Sequence, residues 1–155
     1  MICHRQVRTC RDVVNRNMQY LLPDLNSIPK VASQFLTDFG HRKIFAFEAA
    51  MGTGKTTFIL GLLRAMGIEH PEGSPTYSLV NSYESPMYGK VYHFDLYRIE
   101  DEQEAYDIGI EEMLYGNTAY CFIEWAGNVK NLLPLNTVVV NMSINEEGER
   151  LIDVE

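Results

Sequence analysis

Between residues 27 and 40 the apolar positions Ile28, Val31, Ala32, Phe35, Leu36 and Phe39 fall at helical spacings and make a single stripe. The pattern predicts an amphipathic helix with Ser27 as its cap, Pro29 in its first turn and Gly40 at its end. Lys43-Ile44-Phe45-Ala46-Phe47-Glu48 then reads as a strand, followed by a glycine-containing turn at 49–54 and a helix from Lys55 to Met66 that Gly67 stops. Further strands are predicted over Tyr77–Tyr83 and Lys90–Phe94, joined as a hairpin by the turn Pro86–Gly89. Ala119–Ile123 is an apolar run that ends in Glu124-Trp125, as a buried strand would. Val138, Val140, Met142 and Ile144 alternate with Val139, Asn141, Ser143 and Asn145, and a last strand covers Arg150–Val154. Those two segments predict a hairpin with one buried face. Strand, loop and helix in this succession indicate the α/β class, and 155 residues without a repeat or linker suit one domain.

Composition narrows the picture. A chain that is 46% hydrophobic, with 9 Tyr and 7 Phe, buries enough surface to exclude global disorder. No apolar stretch approaches the ~20 residues that cross a bilayer, and MICHRQVRTCRDVVNR lacks the apolar centre of a secretory signal. Cys3, Cys10 and Cys121 form no CxxC pair, so neither a disulfide framework nor a cysteine zinc site is indicated. The expectation is a soluble cytoplasmic protein with no membrane contact.

The net charge of -8 is unevenly placed. Arg5, Arg8, Arg11 and Arg16 against Asp12 make residues 1–16 +3, which leaves 9 basic and 20 acidic side chains, or -11, on the rest. Such a body repels a phosphate backbone and argues against direct nucleic-acid binding. The basic segment 1–17 reads as an unstructured tail or as residues upstream of the true start, with a targeting or binding arm as the alternative. The globular domain is then 18–155. Residues 100–112 contain seven acids and no base, interrupted by Gly109, and predict one or two short exposed helices. A solvated face explains them, and a docking face is the alternative.

The candidate chemistry lies in Ala49-Ala50-Met51-Gly52-Thr53-Gly54-Lys55-Thr56-Thr57, which differs from the phosphate-binding loop GxxxxGK[ST] only by Ala49 in place of the first glycine. In such a loop successive backbone N–H groups and a helix N-terminus surround an anion. Gly52 and Gly54 supply the backbone freedom, Lys55 reaches the terminal phosphates, and the Thr56 hydroxyl ligates Mg2+. Ala49 is compatible with this provided that it sits at negative φ. A chance turn opening an ordinary helix is the competing explanation, but the flanking apolar strand and apolar helix supply the context that the motif requires. A phosphate loop also needs an acid at the end of a neighbouring strand, and Asp95 and Glu124 are the two candidates. Thr76 in Ser74-Pro75-Thr76-Tyr77 is a candidate switch residue for the phosphate end of a nucleotide. Trp125 is a core residue or a nucleotide contact, and no histidine pair has metal-ligand spacing.

Taken in order, Gly52-Thr-Gly-Lys-Thr-Thr-Phe58, Ser74-Pro-Thr-Tyr-Ser-Leu-Val80, Val91-Tyr-His-Phe-Asp-Leu-Tyr-Arg98, Gly109-Ile-Glu-Glu112 and Phe122-Ile-Glu-Trp125 resemble the TsaE (YjeE) family. These are bacterial P-loop ATPases of tRNA threonylcarbamoyladenosine synthesis, and the likeness spans about 20–155. The resemblance implies a P-loop NTPase-like mixed β-sheet flanked by helices, with ATP and Mg2+ as ligands and the TsaB and TsaD proteins as partners. In the family TsaD, aided by TsaB, modifies the adenosine beside the anticodon, and TsaE supports repeated turnover; tRNA is met only indirectly. By motif, Met51 to Thr57 form the nucleotide loop, with Lys55 and Thr56 at the phosphates, Thr76 the switch, Asp95 the acid for hydrolysis, Glu124 the metal-coordinating acid and Trp125 a further nucleotide contact. Where the family has Gly-Asp-Leu-Gly-Ala-Gly-Lys-Thr, this chain departs at Ala49 and Ala50.

Two other classes compete. A small P-loop kinase would need an arginine-bearing lid, and after the loop only Arg64, Arg98 and Arg150 remain. A nucleotide-gated binding module without hydrolysis would use the same loop and metal residues as an ATPase.

Overall fold

The strand ahead of the glycine turn occupies the middle of the molecule. In the computed structural model, which describes residues 17–75, 78–116 and 118–155, the strands are β1 (Met18–Leu22), β2 (Ile44–Glu48), β3 (Val80–Ser85), β4 (Gly89–Asp95), β5 (Tyr120–Glu124), β6 (Val138–Ile144) and β7 (Arg150–Val154). The helices are α1 (Ile28–Phe39), α2 (Lys55–Ala65), α3 (Glu102–Asp107) and α4 (Ile110–Tyr115), with 3-10 segments at Leu25–Ser27 and Ala126–Leu132. The strands form one mixed sheet in the order β1-β7-β6-β2-β5-β4-β3. Its inner four, β6, β2, β5 and β4, run parallel, while β3 and β7 pair antiparallel at the flanks.

Both faces of the sheet are covered, which is why β2 and β5 read as continuous apolar runs rather than alternating ones. Helices α1 and α2 pack on one face, where Phe35, Phe45, Phe58 and Phe122 interlock with Phe35–Phe45 and Phe45–Phe122 centroids 5.5 Å apart. Each fully buried ring of this kind contributes about 1.5–3 kcal/mol of transfer free energy. Gly61 of α2 lies against Ile28 of α1, where a Cβ would collide with the Ile28 side chain, so the two helices approach closely at that point. The opposite face packs Ile44, Ala46, Phe94 and Ile123 against Ile110, Leu114 and Val129.

Several local expectations shift. Strand β1 is not evident from the pattern, because Leu21 is exposed while Tyr20 and Leu22 are buried, and its pairing with β7 decides its state. Ser27 does stand at the cap of α1, but its side chain makes no capping bond; Asp24 caps the 3-10 turn just before it, its Oδ1 accepting the Ser27 N–H and hydroxyl, both at 2.9 Å. Of the strand predicted over Tyr77–Tyr83, residue 77 lies outside the described residues and the observed strand begins at Val80. The acidic stretch forms two helices as predicted, but Ala105, Ile110 and Leu114 anchor them in the core, so most of the acids are exposed together with Tyr106 and Tyr115.

Candidate nucleotide site

Parallel pairing brings the carboxyl ends of three strands together at one edge, the edge where open α/β sheets bind ligands. Phe47 of β2 is beside Glu124 of β5, and Asp95 of β4 is beside Glu124 on its other flank. The turn after β2 passes above this edge. Gly52 and Gly54 have φ of 82° and 108°, and a Cβ there would meet nothing within 4 Å. Conformation, not crowding inside the protein, therefore selects glycine at both positions. Among the described residues Trp125 alone combines a side chain with positive φ, so Ala49 and Ala50 lie at negative φ and the missing glycine at 49 costs the turn no strain.

Helix α2 starts at Lys55 with its first N–H groups turned toward the loop, an arrangement suited to an anion. Lys55 is 6% exposed; its Nζ donates to the Ala49 carbonyl at 2.7 Å and lies 4.0 Å from the Trp125 ring centroid. Burial holds its pKa below the ordinary lysine range, opposed by the charges of Glu124, Glu48 and Asp95. Thr56 Oγ1 donates to Glu124 Oε1 at 2.7 Å and is 3.0 Å from Ser74 Oγ. Because the threonine hydrogen is committed to the carboxylate, the serine hydroxyl is the donor in the second contact.

A cavity of about 370 Å³ joins these groups. Met51, Gly52, Gly54, Lys55, Thr56, Thr57, Asp95, Glu124 and Trp125, nine of the residues predicted from sequence, line it. Thr53 does not: its hydroxyl turns inward to the Ala50 carbonyl at 2.8 Å and its carbonyl accepts Arg150 Nε at 3.2 Å, so it shapes the loop. Thr76 lies outside the described residues. Asp95 Oδ1 accepts the Tyr97 N–H at 3.1 Å, which turns the chain so that Tyr97 stands 5.0 Å from Trp125 across the cavity mouth. Trp125 itself has φ 59°, a conformation costing on the order of 1–3 kcal/mol that cores rarely retain without a reason. Here it turns the chain out of β5 and lays the indole over Lys55. On the other flank of the loop a second cavity of about 420 Å³ is walled by Leu22, Asp24, Ile28, Phe58, Met142 and Arg150.

Sequence reasoning missed three participants. Ser74 stood in the segment credited to Thr76, and Tyr97 follows Asp95 by two. His93 is fully buried with Nε2 2.7 Å from Glu124 Oε2. Strand alternation would have placed His93 on the face of Asp95, two residues on.

The donor set tests well for Mg2+, a cation that takes hard oxygen ligands. Thr56 and Ser74 hydroxyls and the Glu124 carboxylate converge at the start of a helix, and a buried ammonium whose charge is disfavoured stands ready for an anion.

A central parallel strand, a left-handed glycine pair, a lysine-threonine helix start and an acid on the adjacent strand define a P-loop domain. The family profile described as "Threonylcarbamoyl adenosine biosynthesis protein TsaE" matches residues 22–152. The chain is 35% identical over 111 residues to the tRNA threonylcarbamoyladenosine biosynthesis protein TsaE of Treponema pallidum, covering 72% of this chain and 80% of that one. It is 31% identical over 139 residues to the protein of the same name from Rickettsia bellii, covering 89% and 94%. The crystal structure of Bacillus subtilis YdiB shares the fold, with a TM-score of 0.69 at 22% identity over 90% of this chain and 84% of that one. The chain belongs to the TsaE family.

Proposed function

We propose that the chain binds ATP with Mg2+ in the cavity above β2, β5 and β4 and hydrolyses it in support of TsaB and TsaD during threonylcarbamoyladenosine synthesis on tRNA. The observation that carries this reading is the 2.7 Å bond between Thr56 and the buried Glu124, which joins the phosphate loop to an acid on the neighbouring strand. Lys55 neutralises the phosphates, and Thr56 with Glu124 holds the metal. Asp95, at the cavity wall beside Glu124, is the acid that hydrolysis needs. Bound Mg2+ would supply charge neutralisation and orientation of the phosphate oxygens. The second cavity across the loop, with Leu22, Ile28, Phe58 and Met142 beside the polar Asp24 and Arg150, takes the base and sugar. Thr76 completes the phosphate end, as the family resemblance implies.

Hydrolysis by the chain alone is slow and accelerates with its partners. A body at -11 meets tRNA through those proteins, in the cytoplasm, and the basic residues 1–17 are dispensable to the ATPase domain 18–155. No described helix is long and apolar enough to cross a membrane.

The test is ATP hydrolysis measured with and without TsaB and TsaD, with small-molecule phosphoryl acceptors assayed in parallel. Acceleration by the two proteins, with phosphate released to water, is expected. Turnover that ignores them while an acceptor becomes phosphorylated refutes the reading in favour of a kinase.

A further inference from the structure

His93 is a fully buried polar side chain that the proposed chemistry does not use. It sits on β4 beside Phe122 of β5, two residues before Asp95, on the sheet face covered by α2. Its Nε2 is 2.7 Å from Glu124 Oε2, while Nδ1 has no partner among the described residues. The two oxygens of Glu124 are thus held separately: Oε1 by the Thr56 hydroxyl of α2 and Oε2 by His93 of β4. A carboxylate can only accept, so the hydrogen of the His93 contact belongs on Nε2.

We propose that His93 is a positioning residue, fixing the plane of the Glu124 carboxylate so that Oε1 alone is presented to Thr56 and the metal. This rests on the nucleotide reading above. Glu124 is 2% exposed, so its second oxygen depends on a donor from the protein, and without His93 there the carboxylate can rotate away from Thr56. Imidazole fits because its ring donor lies several ångströms from the strand and is stiffly mounted, so one oxygen is pinned without disturbing the other. Tyr92 and Phe94, its sequence neighbours, point to the opposite face and cannot replace it.

The experiment uses His93→Leu, which keeps bulk and removes the donor, and His93→Gln, which returns an N–H at similar reach. The affinity for ATP is measured by calorimetry with and without Mg2+, and the ratio gives the contribution of the metal. His93→Leu is expected to lower that ratio by about 10-fold or more, leaving the Mg2+-free affinity unchanged, with His93→Gln recovering most of it. An unaltered ratio in a folded His93→Leu protein overturns the proposal. So does a His93→Gln protein that folds yet is as defective as His93→Leu, since shape rather than the hydrogen bond would then be at work. Should His93→Leu not fold, imidazole nitrogen shifts of the unmodified protein decide: hydrogen on Nε2 supports the proposal and an Nε2 without hydrogen overturns it. Failure of the nucleotide reading looks different, because the unmodified protein would then bind ATP no better with Mg2+ than without it, which contradicts the metal role of His93 as well.

Discussion

Replacing Lys55 by methionine is expected to separate stability from function. The ammonium donates to Ala49 at 2.7 Å and stacks on Trp125 at 4.0 Å, contacts worth about 1.5–3 and 0.5–2 kcal/mol respectively. Against them stands the cost of removing a charge from water, several kcal/mol for a side chain 6% exposed, and the depressed pKa shows that this burial outweighs the pull of Glu124, Glu48 and Asp95. Methionine keeps the length and apolar stem without the charge. Stability of the free protein is therefore expected to stay level or rise by up to about 2 kcal/mol. With ATP the balance reverses, since a unit charge about 4 Å from a phosphate oxygen at an effective dielectric near 20 contributes about 4 kcal/mol. Lost at the transition state, that is about a thousandfold in kcat/KM. Urea unfolding without nucleotide and steady-state hydrolysis of Mg2+–ATP measure the two arms. Lys55→Met protein that unfolds markedly more easily, or that keeps kcat/KM within about tenfold of the original, refutes the reasoning.

Burial first, then the hydrogen bond to Asp38 at 2.6 Å and the Asp38 charge, raise the pKa of Tyr20 above the usual phenol value. Its stabilisation is complete below the unfolded pKa near 10 and is lost as pH climbs from there toward the folded value. Tyr20→Phe is accordingly expected to flatten the fall of unfolding free energy above about pH 10; equal slopes for the two proteins contradict this. Trp125 is the only tryptophan and stands 4.0 Å from Lys55, so its fluorescence is expected to change as Mg2+–ATP saturates the site, and a flat signal alongside calorimetric binding would place the nucleotide elsewhere. Removal of residues 1–17 is expected to leave the affinity for ATP unchanged, and a large loss shows that the segment belongs to the binding domain.

Periodicity revealed the elements whose partners lie inside them or next to them in sequence. The α1 stripe, the strand-turn-helix around Lys55 and the terminal hairpin are of this kind, because one buried face or one glycine turn defines each. Strand β1 was not legible, since Leu21 breaks the alternation and its state depends on pairing with β7, more than 125 residues away in sequence. The candidate site was legible wherever a residue belongs to a short motif. Lys55, Thr56, Asp95 and Glu124 stand in motifs whose spacing is readable, and all reach one cavity. His93 was hidden because its partner lies across a parallel pairing, and nothing local to Tyr92-His93-Phe94 states which strand will lie alongside. Trp125 was open between core and nucleotide contact in the sequence; its positive φ and its place over Lys55, which no local pattern reveals, put it at the cavity.

The most direct test counts product. Purified TsaB and TsaD are supplied with tRNA, a threonylcarbamoyl donor and ATP, and the threonylcarbamoyladenosine formed per TsaB–TsaD complex is measured with this chain, without it and with Lys55→Met. Repeated turnover with the chain, and no more than a single round without it or with Lys55→Met, is the predicted result. Equal yields in all three reactions would contradict the role assigned to its ATP site.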